Sequence, residues 1–167
     1  MAENGPTVSK LMILDMDTKT FKTLFRSALS SQGFTGKGGT WHRDSAETIL
    51  VINLQTSQFA TQFYVNIAWW LKVLGTDTRP KEMDCHIRIR LTELLFNERQ
   101  LIEQLFNLED ASISNVHRSR RINLLVFDRI VPHILSLQTV QSLKLAFEED
   151  MFKNAAVTLE ARKILAN

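Results

Sequence analysis

Cys85-His86-Ile87-Arg88-Ile89-Arg90-Leu91 alternates apolar and polar side chains without a break. Successive strand residues face opposite sides, so Cys85, Ile87, Ile89 and Leu91 share one face while His86, Arg88 and Arg90 share the other. One greasy face and one polar face are the mark of an antiparallel sheet. Upstream, Gln62 to Lys72 reads as a further strand, rich in β-branched and aromatic residues. Thr40 to Arg43 and Glu47 to Gln55 read as a hairpin about Asp44-Ser45-Ala46. A four-stranded antiparallel sheet is therefore expected, with the composition of Gly75 to Asp84 marking a loop between its last two strands.

The period is helical on either side of these strands. Phe21, Leu24, Phe25, Ala28 and Leu29 recur at helix spacing after Asp17 and Thr18, either of which can cap. Gly33 suits the left-handed position that ends such a helix, and Phe34 can fold back onto its last turn. Beyond Leu94, a short helix is predicted over Glu98 to Asn107 with Asn97 as its cap. A longer one runs from about Ser119 to Leu137, where interior Pro132 removes a backbone donor and asks for a kink. Thr139 can cap a helix through Phe147, and Asn154 to Leu165 makes the last. The expected fold class is α+β: an antiparallel sheet with an N-terminal helix and a helical C-terminal third.

The 167 residues are enough to bury a self-sufficient core, and one domain over 17–167 is expected behind a loosely ordered leader, residues 1–16. At 44% apolar and 23% charged, the composition is that of a folded chain. Lys and Arg total 20 against 18 Asp and Glu, an excess of two that argues against a dedicated nucleic-acid binder but leaves room for a local basic patch. Cys85 is the single cysteine, which excludes an intrachain disulfide and a cysteine-built zinc site and fits a reducing cytosol. The apolar run Leu11-Met12-Ile13-Leu14 is far short of the roughly 20 residues of a membrane span, so no membrane attachment is expected. His42, His86, His117 and His133 show no metal-ligand spacing, and neither metal nor cofactor is implied.

Applied to all the middle strands, the two-residue period places Leu50, Ile52, Leu54, Phe63, Val65, Ile67, Trp69, Leu71, Ile87 and Ile89 in the core. The opposite positions are Asn53, Gln55, Gln62, Tyr64, Asn66, Trp70, His86, Arg88 and Arg90. Two readings compete for that second face. It is either the solvated side of the sheet, or a cleft partly covered by the C-terminal helices or a long loop. In the cleft, amides and guanidinium forks would converge on an anion or an acidic segment. The cleft reading makes the protein a non-enzymatic binding module for an acidic partner or small anion, using Asn53, Gln55, Tyr64, Asn66, His86, Arg88 and Arg90, with no catalytic residue assigned. One alternative is an enzyme with His86 as acid or base and the two arginines as an anion clamp.

Other features carry less. Gly36-Lys37-Gly38-Gly39-Thr40 lacks Walker spacing and precedes a strand, so it reads as a flexible approach to a hairpin and not a phosphate loop. Cys85 cannot pair with His86, which faces the other way on a strand, and reads as a small hydrophobe of the core side. His117, Arg118, Arg120 and Arg121 form a basic run at a helix start. They read as a solvated face or, together with Trp70 and Tyr64, as a nucleic-acid surface. Positive charge is unfavourable at that helix end, so compensating carboxylates are expected nearby, with Glu109 and Asp110 the candidates.

The order Gly33-Phe34, Lys37, Gly38, Trp41, Arg43, Val51-Ile52-Asn53-Leu54-Gln55, Ser57, Phe63, Asn66, Cys85-His86, Arg88, Arg90, Leu91 resembles the bacterial domain of unknown function 4304, over roughly residues 17 to 135. The resemblance implies a small cytoplasmic bacterial protein and carries no activity, substrate or catalytic residue.

Overall fold

The computed structural model describes residues 16–167. Apart from Met16, which is buried in the core, the expected leader lies outside the described residues. Helix α1 spans Thr18–Ser30. Of the two candidate caps it is Asp17 that serves, accepting from the Thr20 amide at 2.7 Å. Gly33 takes φ +82° after the helix. Phe34 then donates its amide to the Leu29 carbonyl at 3.2 Å and is itself buried, the closure its sequence position suggested.

The sheet has six antiparallel strands in sequence order, not four. They are β1 (Thr35–Lys37), β2 (Thr40–Asp44), β3 (Thr48–Thr56), β4 (Phe63–Leu71), β5 (Ile87–Arg90) and β6 (Ala156–Val157). Strand β1 exists because Gly38 and Gly39, at φ +62° and +83°, form a two-residue turn that matches the twist of its flanking strands. The glycine-rich stretch is thus an ordered hairpin. Strand β6 adds to the free edge of β5 through Ile87↔Val157 and Arg88↔Ala156, and two residues are too few for any period to show.

Helix α2 (Leu91–Leu94) and a 3-10 turn, Phe96–Glu98, lead into α3 (Arg99–Phe106). Asn97 does not cap α3; the chain arrives already turning, with the Glu98 amide bonded to the Leu95 carbonyl. Helix α4 (Asn115–Leu124) starts four residues before the expected point, capped by Ser114. Pro132 is accommodated by a π-helical turn, Leu125–Ile130, in which the Val131 amide reaches back five residues to Val126. The wider turn relieves the clash a proline imposes on the preceding α-turn. Helices α5 (Val131–Leu135) and α6 (Val140–Glu148) follow, the latter held by a Thr139–Ser142 capping box. The last helix, α7 (Leu159–Leu165), is shorter than expected because residues 156–157 join the sheet and Thr158 supplies the cap.

One face of the sheet carries Trp41, Leu50, Ile52, Val65, Ile67, Trp69, Ile87 and Ile89 into a core closed by α1 and the C-terminal helices. Phe21 of α1 stacks on Phe63 of β4 at 4.4 Å and meets Phe106 of α3 edge-on at 5.3 Å. Phe152 approaches Trp69 edge-on at 5.4 Å. No described helix is long and apolar enough to cross a membrane.

Candidate functional site: a polar trough on the second sheet face

The second face is not uniformly polar. Ile49, Val51, Ala68 and Cys85 form a small buried cluster there with Trp70 against it, beside the connection between β4 and β5. Gly75 of that connection lies so close to the Trp70 indole that a Cβ would sit 2.4 Å from it. His42 of β2 fastens the connection further along, donating from Nε2 to the Pro80 carbonyl at 2.8 Å. Cys85 therefore belongs to this cluster and not to the main core. It precedes β5, so strand alternation does not govern it. Burial first, then the carboxylates of Glu82 and Asp84, push its thiol up to about 12. The protonated thiol donates to the Lys81 carbonyl at 3.4 Å, and a thiolate nucleophile is out of reach at neutral pH.

The uncovered half of the face holds most of the residues singled out from sequence. Strand pairing aligns Lys37, Thr40, Asn53, Asn66 and Arg90 in one row across five strands. The row is stitched together. Asn53 Nδ2 donates to Thr40 Oγ1 at 3.0 Å, and Asn66 Nδ2 donates to Gln55 Oε1 at 3.2 Å and Asn53 Oδ1 at 3.4 Å. Arg90 lies over the Tyr64 ring, 4.5 Å from its centre. Arg88 sits in the neighbouring row, between Ala68 and Ala156.

Among the described residues neither Arg88 nor Arg90 has a carboxylate within ion-pair distance; the ion pairs there are Lys72–Asp44, Arg99–Glu93 and Arg129–Glu98. Two adjoining cavities open over this surface. One of about 350 Å³ is lined by Gln55, Asn66, Arg88 and Arg90 together with Glu82 and Glu93. A larger one of about 570 Å³ continues past Asn53 and Thr40 to Lys37, Arg79 and Lys81, with Glu82 again in its wall. Sequence reasoning missed Lys37, which ends a strand of three residues, too short to show a period, and Arg79 and Lys81, loop cations that declare no face until the loop is placed.

His86 does not join the arginines. Its Nδ1 accepts the Leu71 amide at 2.9 Å and its ring rests 4.3 Å from Trp70. Burial holds its pKa below 6.5, opposed by the Glu160 carboxylate. Burial and then Arg129 do the same for His133, opposed by Glu98. For a base depressed on folding, the unfolded chain takes up protons first as pH drops below 6.5, so stability present above that value is progressively lost on acidification. Urea melts at pH 7.5 and 5.5 should show the native chain weaker at the lower pH, and His86→Gln, which keeps an acceptor without the titration, losing less over the same interval. Identical losses would remove His86 from the acid response.

The basic run dissolves as a unit. Arg118 is 1% exposed, and its guanidinium donates to the carbonyls of Gln104, Leu105, Asn107 and Asp110 at 2.7, 2.9, 2.8 and 2.6 Å. It closes the C-terminal end of α3, where the helix dipole is negative. Only His117, Arg120 and Arg121 are exposed. Of the two expected carboxylates, Asp110 feels the Arg118 charge and is held below its usual range chiefly by hydrogen bonds from Ser112. Glu109 turns away to accept the Thr61 amide. Among the described residues no group of three His, Cys, Asp or Glu side chains is arranged to hold a metal ion.

The fold and site together define an α+β domain whose six-stranded sheet buries one face and holds a loop-walled, arginine-bearing trough on the other. A family model for the domain of unknown function 4304 matches residues 25–132, from within α1 to the proline after the π turn, and the chain belongs to that family. No curated protein and no solved structure gives a match.

Proposed function

We propose that the protein is a non-enzymatic binding module that receives an anionic group of an acidic partner or small ligand at Arg88 and Arg90, on the amide-lined polar face of its sheet. The observation that carries this reading is the contrast between the two kinds of side chain there. The amides of Asn53 and Asn66 are fixed by one another and by Thr40 and Gln55, whereas the two guanidinium groups have no carboxylate partner among the described residues. A rigid polar floor that carries guanidinium forks outside ion-pair distance of any described carboxylate suits carboxylate or phosphate, since both accept paired donors from arginine. His86 supports binding over catalysis, because its Nδ1 is committed to the Leu71 amide.

Calorimetric titration with tri-glutamate and with inorganic phosphate tests the reading. Arg88→Ala and Arg90→Ala should each weaken binding at least about tenfold, the loss of one charge-assisted pair. The melting temperature should move by about 2 °C or less, as for other surface changes. Unchanged affinity, or a large fall in melting temperature, would overturn it.

A further inference from the structure

The anion seat at Arg88 and Arg90 occupies only one end of a longer trough. Lys37 at the tip of the first hairpin, with Arg79 and Lys81 on the loop, forms a second cationic end. Like the arginines, these cations have no carboxylate within ion-pair distance among the described residues. The row Lys37, Thr40, Asn53, Asn66, Arg90 runs between the two ends. Four strand spacings separate β1 from β5, about 19 Å at roughly 4.8 Å each. Glu82 lines both cavities, so the one carboxylate common to them lies between the cationic ends.

This pattern selects among anionic ligands. A small phosphorylated or carboxylated molecule cannot reach both ends at once. A nucleic-acid strand carries a phosphate on every nucleotide, and laid along the trough it would set phosphates against Glu82. An extended peptide advances about 3.3 Å per residue, so about six residues cover the distance, and Asn66 Oδ1, which takes no part in the bonds that fix the row, offers an acceptor to its backbone amides. Resting on the reading that Arg88 and Arg90 take an anion, we infer that the trough binds an extended peptide segment of about six residues. That segment carries acidic side chains at both ends and a lysine or arginine near its middle, opposite Glu82.

A random heptapeptide library displayed on phage, panned against the full chain, tests this directly. The Lys37→Ala/Lys81→Ala, Glu82→Gln and Arg88→Ala/Arg90→Ala variants are panned in parallel, and the enriched consensus is then measured by fluorescence anisotropy. Enriched sequences should be acidic at both ends and basic at the centre. Lys37→Ala/Lys81→Ala should weaken the consensus at least tenfold and erase the preference for acid at one end, and Glu82→Gln should erase the central preference. No enrichment, peptides acidic throughout, or tighter competitive binding by an oligothymidylate would each overturn the inference. If only Arg88→Ala/Arg90→Ala matters, the trough has a single anion seat: the peptide inference falls and the simpler binding reading stands. If none of the variants matters, both fall.

Discussion

Arg118→Ala is expected to destabilise the protein by about 4 kcal/mol, the range for removing one member of a buried charged network. The guanidinium is sealed from solvent and holds four backbone carbonyls between Gln104 and Asp110. Truncation leaves those acceptors without their donor where water has little access, at about 1 kcal/mol or more apiece, and opens a void as well. For a chain of this size the melting temperature should fall by roughly 8–16 °C. Arg118→Lys should recover only part of the loss, because an ammonium offers three donors from one point and cannot reproduce a planar fork. Urea unfolding gives the number directly, and a cost under about 1 kcal/mol would mean that water replaces the side chain at the end of α3.

Gly36→Ala should rank second, at about 2 kcal/mol, within the span of strained or clashing substitutions. A Cβ at Gly36 would lie 2.0 Å from the Thr40 carbonyl oxygen and 2.6 Å from the Trp41 Cα. Neither atom can retreat easily. Trp41 is buried, edge-on to Phe25 at 5.5 Å, so the relief must come from β1 peeling away from β2. Amide exchange should then lose protection across Thr35–Lys37 while β3 and β4 keep theirs. The same change removes Lys37 from the trough, so affinity for a doubly acidic peptide should fall with it. Gly38 makes a useful contrast: it has open space around it, and its cost is confined to the φ of +62°. Equal protection of β1 in the Gly36 variant and the native chain would refute the clash.

What could be read from the chain in advance follows from how regularly each segment obeys a period. The alternation of Ile87, Arg88, Ile89 and Arg90 placed β5 and the faces of its side chains, while Cys85, expected on the core side, falls before the strand and into the second cluster. Asp17, Gly33, Phe34 and Thr139 sit at helix ends for local chemical reasons. Other signals were present but harder to weigh. Ile49-Leu50-Val51-Ile52 is apolar at odd and even positions alike, which means a strand covered on both faces. It foretold the cluster with Ala68 and Cys85 that displaces half of the supposed polar face. Arg118 falls four residues before buried Ile122, on the inward stripe of its helix, where a charge must have partners. Strand β6 left no trace, since two residues have no period. The trough itself was only half legible: its floor is written in strand register, but Lys37 ends a strand too short to show a period, and the wall with Arg79 and Lys81 depends on where a loop comes to rest.

The sixth strand also bears on how the molecule is divided. Ala156 and Val157 lie beyond the residues shared with the family model, yet they cover the outer edge of β5 directly beside Arg88. A fragment trimmed to the matched span would bare a row of unpaired amides and carbonyls there, a template for edge-to-edge association between chains. It would also strip Phe152 from Trp69. The tail thus closes the sheet edge beside Arg88 against pairing with another chain.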